Sequence, residues 1–418
     1  MFFLLIVLNW PKRFLSPYSF LYGYYGVFFI LAPMYAERYS GLLSGKFYLL
    51  AFSMLFTVLT CAVLGLNFGQ RIVAASSYFK NTRLNEVKNN HKSGNLIFLY
   101  MASTFLIILI VLNSGGFDFW INKPGDAFLN RSGTGIYVVL SHFFSYLLAI
   151  FSGYYAFKNK NLYLLFLFLF WLIITSPVHG SKVQITIFLI IALLPWIRNV
   201  KPLSIMSIII SSFIIAIFFL GLYFRNISWI EFDTLIPYSL NYFSTLENLV
   251  ISLRDFEPGF LTTFFLPFNK FSTIFGNPDM IYYDMNHYLT DIYLPSAWAI
   301  RATEQWPVET DLYLNFGFFG GLPLIFLYFS VIGFFYSKAI KSDGLGNWLI
   351  AVLFMVFMIS HLRGSLYNHV DFYFYPMMVV LFYLTRGFNF MDKNEKKILT
   401  LKLLTSRVKI RLKLILDL

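Results

Sequence analysis

Charge is what this chain has least of. Only 12% of its 418 residues are Asp, Glu, Lys or Arg, against about 25% in a soluble domain. With 58% hydrophobic residues and a mean hydropathy of +0.67, the chain is too apolar for a single water-soluble core, so lipid must be its main solvent. It has one cysteine, Cys61, which rules out an internal disulfide. Sustained apolar/polar alternation is missing from the apolar regions, and that excludes a barrel built of ~10-residue strands. The six histidines are scattered and no carboxylate run has Ca²⁺-loop spacing, so neither a metal site nor a cofactor is expected. No Asp-x-Asp pair marks the loop nearest the N-terminus, which argues against metal-dependent lipid-sugar transferases. No internal repeat is visible, which counts against transporters built from inverted repeats. Residues 1–10 are apolar but lack a basic leader and a small-residue cleavage site, so they are not read as a signal peptide.

What is present is a series of long apolar blocks. Backbone polar groups cannot be left unpaired in hydrocarbon, so each block must be a helix. The blocks fall at residues 18–35, 47–66, 96–112, 136–157, 162–175, 183–197, 203–224, 312–336, 348–360 and 372–385, with a shorter one at 2–9. The expected fold is all-α: a polytopic integral membrane protein of about 10–11 transmembrane helices. Four regions follow: a bundle over 1–224, a large loop over 225–310, further spans over 311–385 and a basic tail over 386–418. A loop far longer than about 15 residues is expected to fold and work. Its apolar patterns at 238–253 and 260–275 predict helices lying on or dipping into the outer leaflet.

Orientation follows from Lys and Arg. Loops 11–17, 68–93, 158–161, 198–202 and 337–347, together with the tail from Arg386, alternate correctly with the spans. They hold 22 of the 32 basic residues but only 5 of the 20 acidic ones. Placing them inside predicts a multi-pass membrane protein with a cytoplasmic C-terminus and residues 225–310 on the far side. The pI of 9.4 reflects this topology rather than a nucleic-acid groove, and no nucleic-acid partner is expected. The tail alternates basic and apolar residues and reads as an arm on anionic lipid.

The most distinctive stretch is Trp306–Gly321, WPVETDLYLNFGFFGG. Glu309 and Asp311 stand at the mouth of a span, where the helix dipole favours acidic groups, and Gly317, Gly320 and Gly321 are read as points of close helix approach. A Glu, an apolar-aromatic stretch, Asn-Phe-Gly, two residues and a Gly, entering a late span after the largest outer loop, resembles the bacterial O-antigen and oligosaccharide repeat unit polymerases, the Wzy type. His-Gly-Ser-Lys at 179–182, Ser-Leu-Asn-Tyr-Phe at 239–243 and Arg363-Gly364-Ser365 before the last span agree with it. The related O-antigen ligases carry a His-Asn-x-Tyr-Leu run; here Asn286-His287-Tyr288-Leu289 is reordered, with Gly317 far downstream.

The resemblance implies an enzyme, a glycosyltransferase that joins undecaprenyl-pyrophosphate-linked oligosaccharide units into O-antigen or capsular-type polysaccharide. It implies membrane lipid, a flippase and a chain-length regulator as partners. Outside the membrane there is no nucleotide sugar, so a glycosyl donor must arrive on a lipid phosphate. Such a donor needs cations where charge develops on the leaving phosphate and a base for the acceptor hydroxyl. Arg225, Arg254, Arg301 and Arg363 are the candidate pyrophosphate ligands because a guanidinium can hold two oxygens, with Lys182 added at a helix mouth. Glu309 and His287 are the candidate proton acceptors, and Asp284 and Asp311 are secondary. Trp229, Trp298 and Trp306 could stack on sugar faces. A flippase for the same lipid-linked unit and a glycan ligase are the alternatives. The flippase has little use for so large an outer segment.

Overall fold

The computed structural model describes residues 2–34, 45–75, 94–131, 133–179, 182–225, 231, 233–274, 282–299 and 303–390. The N-terminal half holds α1 (Phe2–Leu8), α2 (Pro17–Gly26), α3 (Gly45–Ala75), α4 (Gly94–Asn113), α5 (Gly116–Asn122), α6 (Pro124–Leu129), α7 (Gly135–Lys158), α8 (Tyr163–Thr175), α9 (Lys182–Ile197) and α10 (Ile205–Arg225). The C-terminal half holds α11 (Leu235–Phe243), α12 (Leu246–Asp255), α13 (Asn269–Ile274), α14 (Met285–Tyr293), α15 (Pro295–Ala299), α16 (Val308–Phe316), α17 (Leu322–Ser342), α18 (Leu345–Leu362) and α19 (Asp371–Thr385). No strand occurs among the described residues. Six helices are long and apolar enough to cross a membrane, and three shorter apolar helices accompany them. The protein is an all-α polytopic membrane protein.

Small residues set the tightest packing. Along α3, Gly65 and Gly69 stand one turn apart, and a Cβ at either would overlap the Phe326 or Ser330 carbonyl of α17. From the other side, Gly333 lies flat on the Leu66 carbonyl. Without a hydrophobic drive between helices in lipid, this backbone approach is what holds such pairs together. Gly153 of α7 meets Ala192 of α9 in the same way. The first and last thirds of the chain are thus one packed unit.

The expected span over 312–336 is two helices. Gly317 ends α16 at φ +56°, and Phe318 follows at +68°. A left-handed C-terminal glycine stops a helix, and Pro323 in the first turn of α17 restarts one. Gly317 and Gly320 have no neighbouring helix against them, and Gly321 meets only Leu312 and Phe316 of its own segment. These glycines build a turn, and the close approach expected of them belongs to Gly65, Gly69 and Gly333.

The long loop folds onto one end of the bundle. Helices α11 and α12 replace the single pattern over 238–253, broken at Ser244 and Thr245. The segment from Phe260 to Phe268 is turns and a 3-10 helix rather than an α-helix. Its backbone serves another purpose. Gly259 and Leu261 amides donate to the Tyr313 and Asn315 carbonyls, each at 3.0 Å, satisfying carbonyls that the break after α16 leaves open. Phe260 and Phe265 remain 80% and 59% exposed.

Described residues of four of the loops grouped by basic residues meet at the opposite end. Arg13 donates to Asn199 Oδ1 at 2.8 Å, and Arg198 Nε pairs with Asp343 Oδ1 at 3.0 Å. The Arg198 guanidinium lies 4.1 Å from the Phe390 ring, and the Leu345 amide donates to the Phe388 carbonyl.

Candidate functional site

The centre of the other end is Glu309, which is 0% exposed. It sits in the first turn of α16. Its Oε1 accepts the Tyr25 hydroxyl at 2.8 Å, while Oε2 has no hydrogen-bond partner among the described residues. Tyr25 comes from α2, immediately before a π-helical turn at Val27–Leu31, a local widening that recurs at functional positions. Burial lifts the Glu309 carboxyl to about 7, against a smaller opposing pull from the Tyr25 hydrogen bond. A carboxyl there exchanges its proton near neutral pH.

Two residues on, Asp311 is held by three hydrogen-bond donors, from Ser365, Leu366 and Asn315. Its Oδ1 accepts Asn315 Nδ2 at 2.7 Å, and Oδ2 accepts the Leu366 amide at 3.4 Å. Burial raises its carboxyl to about 6, opposed by the Ser365, Leu366 and Asn315 bonds. Asn315 Oδ1 takes the Thr263 amide at 2.7 Å, so Asp311 also fixes the segment that covers the end of α16. It is a structural hub rather than a simple helix cap.

Ser365 and Leu366 belong to residues 363–370, the connection between α18 and α19, which also brings Arg363. Arg363 is buried, with its guanidinium carbon 5.4 Å from the Phe28 ring centre. The Tyr24 hydroxyl donates to the neighbouring Leu362 carbonyl at 2.6 Å. Tyr24 lies within electrostatic range of both Glu309 and Arg363.

A third group joins from α14. Asp284 is its N-cap and accepts the His287 amide at 2.9 Å, the bond that a helix start needs. The same carboxylate lies 3.3 Å from His287 Nδ1 and 3.7 Å from His369 Nδ1, and the two imidazole rings stack at 6.1 Å. Burial lowers the His369 imidazole, with Asp284 opposing. His287 Nδ1 also takes the Tyr283 amide at 3.3 Å. Asn286 ties this group to the rest: its Nδ2 reaches the Arg363 carbonyl at 3.1 Å and its Oδ1 takes the Trp306 amide at 2.9 Å. Gly364 lets it do so, since a Cβ there would press on Asn286 Nδ2 at 3.1 Å.

The fold thus brings Glu309, Asp311, Arg363, Asp284 and His287 into one linked assembly. Arg254 is not part of it: it is engaged by its neighbour Asp255 at 2.6 Å, which draws that carboxyl down. The side chains of Lys182 and Arg225, and all of Arg301 and Trp229, lie outside the described residues. Trp306 is fully buried against Tyr293 and is a core residue, not a sugar platform. Trp298 stands 5.3 Å from the His287 ring. Sequence reasoning missed Tyr25, Asn286 and His369. Only Asn286 carried a signal, as the neighbour of His287. No group of three His, Cys, Asp or Glu fit to hold a metal occurs among the described residues.

Comparison with protein-family models, with curated proteins and with solved structures gave no match.

Proposed function

We propose that this protein polymerises lipid-linked oligosaccharide repeat units on the non-cytoplasmic face of a bacterial inner membrane. The observation that carries the proposal is Glu309: a buried carboxyl near neutral pKa, with one oxygen held by Tyr25 and the other unpartnered, in electrostatic reach of a residue shared with Arg363. An acceptor sugar hydroxyl attacks the anomeric carbon of the growing glycan, and Glu309 Oε2 takes the hydroxyl proton. The new C–O bond forms as the bond to pyrophosphate breaks, and the electron pair leaves with the undecaprenyl pyrophosphate. Arg363 holds the charge that develops there. Lys182, Arg225 and Arg301 are further ligands for the leaving group, and His287 is the second candidate to handle the proton. A positioned base contributes about 10²–10⁴-fold. Because Glu309 is fully buried, substrate reaches it only when the side chains that cover it move.

The test is reconstitution in lipid with lipid-linked repeat units. A ladder of products is expected, with the ladder lost in Glu309→Gln. Protein that binds the lipid-linked unit but never lengthens it ends the proposal, and movement of the unit between leaflets without elongation establishes the flippase instead.

A further inference from the structure

The 363–370 connection touches most elements of the site. Its backbone and side chains contact Asn286 of α14, Asp311 of α16 and Asp284 through His369, and the Tyr367 hydroxyl bonds the Phe264 carbonyl. Where this loop sits is therefore where Arg363 sits relative to Glu309.

The two ends of the loop are tied together beneath it. His361 precedes it in the last turn of α18, and Asp371 is the first residue of α19. His361 Nε2 lies 3.1 Å from both Asp371 oxygens, and its Nδ1 lies 2.7 Å from the Tyr328 hydroxyl of α17. Asp371 Oδ2 also accepts the Asn368 amide from within the loop at 2.8 Å. The side chains of His361 and Asp371 are 0% and 5% exposed. With Nε2–H directed at the carboxylate, Nδ1 receives the phenol, so the tautomer follows from the partners. The end of α18 favours positive charge and the start of α19 favours negative.

Buried ionisable side chains are costly unless they are paired. A buried polar network whose members are all partnered rigidifies its surroundings, and here each of the three side chains has a partner. We infer that Tyr328, His361 and Asp371 are positioning residues that set the 363–370 loop and, through it, the placement of Arg363 against Glu309.

The kinetic half of this inference rests on the proposed polymerase activity; the structural half does not. The test uses full-length protein in lipid nanodiscs, with Asp371→Asn, Asp371→Glu and Tyr328→Phe. Peptide-resolved hydrogen exchange is read alongside elongation kinetics. Asp371→Asn raises exchange over 363–370 at least tenfold while the α3–α17 contact at Gly69 and Ser330 is unchanged. It lowers kcat at least tenfold with KM within twofold, and Asp371→Glu restores part of both. Tyr328→Phe, which keeps the core volume, gives the same pattern more weakly and carries the test if Asp371→Asn does not fold. Unchanged exchange over the loop, loosening spread equally to α3 and α17, or a loosened loop with unaltered kcat each overturns the inference. If the wild-type protein fails to elongate, the polymerase proposal falls, and exchange alone still decides the clasp.

Discussion

The two ends of this protein bury ionisable groups in different ways. At the end that carries the basic loops, Arg198 and Asp343 face each other at 3.0 Å, and the arginine is further enclosed by Phe157 and Phe390. At the other end, Glu309 is equally enclosed, but its direct partner is the neutral Tyr25 hydroxyl. The first arrangement matches a charge with its opposite and locks loops from four parts of the sequence. The second leaves a carboxyl unmatched and lifts it toward neutrality. A matched pair resists change, whereas a carboxyl with a neutral partner is poised to gain or lose a proton.

The largest effect expected from disturbing this contrast is at Glu309. Glu309→Gln keeps the Tyr25 contact and the volume but removes the base, so elongation falls by about 10²–10⁴-fold, read as product ladders in reconstituted vesicles. An elongation rate within threefold of wild type would remove Glu309 from the chemistry.

Next is stability, where the two ends should respond in opposite directions. Arg198→Met leaves Asp343 without its partner and is expected to cost about 3 kcal/mol, measured by unfolding in detergent. Glu309→Gln should instead stabilise the protein at alkaline pH. Its carboxyl sits at about 7 when folded against an ordinary 4.5. With the folded value raised, its contribution is fully present below about 4.5 and is lost as pH rises through about 7. Above that, the wild type carries a penalty on the order of 3 kcal/mol that the glutamine variant lacks. Equal melting temperatures for the two proteins at pH 8.5 would contradict the burial argument.

A smaller effect follows from Tyr25→Phe. The Tyr25 hydrogen bond favours the charged carboxylate, so its loss raises the Glu309 carboxyl further. The pH–rate profile should move to the alkaline side, with activity at pH 7 reduced several-fold and recovered at higher pH. The smallest effect belongs to Arg254→Ala. Its partner is the adjacent Asp255 in a half-exposed pair, worth about 0–1 kcal/mol, and elongation should stay within twofold of wild type.

Much of the site was legible from residue order. Glu309 and Asp311 at the head of a late span, Arg363 ahead of the last one, and Asp284 and His287 taken singly all stand out in the sequence as polar groups beside apolar runs. Arg254 looked equivalent to Arg363 for the same reason, because nothing in the local sequence distinguishes an arginine paired to its neighbour from one buried under an aromatic ring. Tyr25 was invisible: it is one of many tyrosines in apolar runs, and its partner lies 284 positions away. His369 was equally silent as a lone histidine in a short loop. The glycines of 317–321 were read as contact points, although the left-handed backbone at Gly317 and Phe318 needs them for a turn. The small-residue pair Gly65 and Gly69 that makes the real helix contact went unremarked.

By itself the sequence determined the solvent and the secondary structure class, because run length and charge count act locally and add along the chain. Only the tertiary structure decided which carboxyl is left with a neutral partner, which arginine is buried beside an aromatic ring and which histidine ties the ends of the 363–370 loop. Those outcomes depend on burial and on distances between residues far apart in sequence, and neither quantity exists until α2, α16 and α18 have packed.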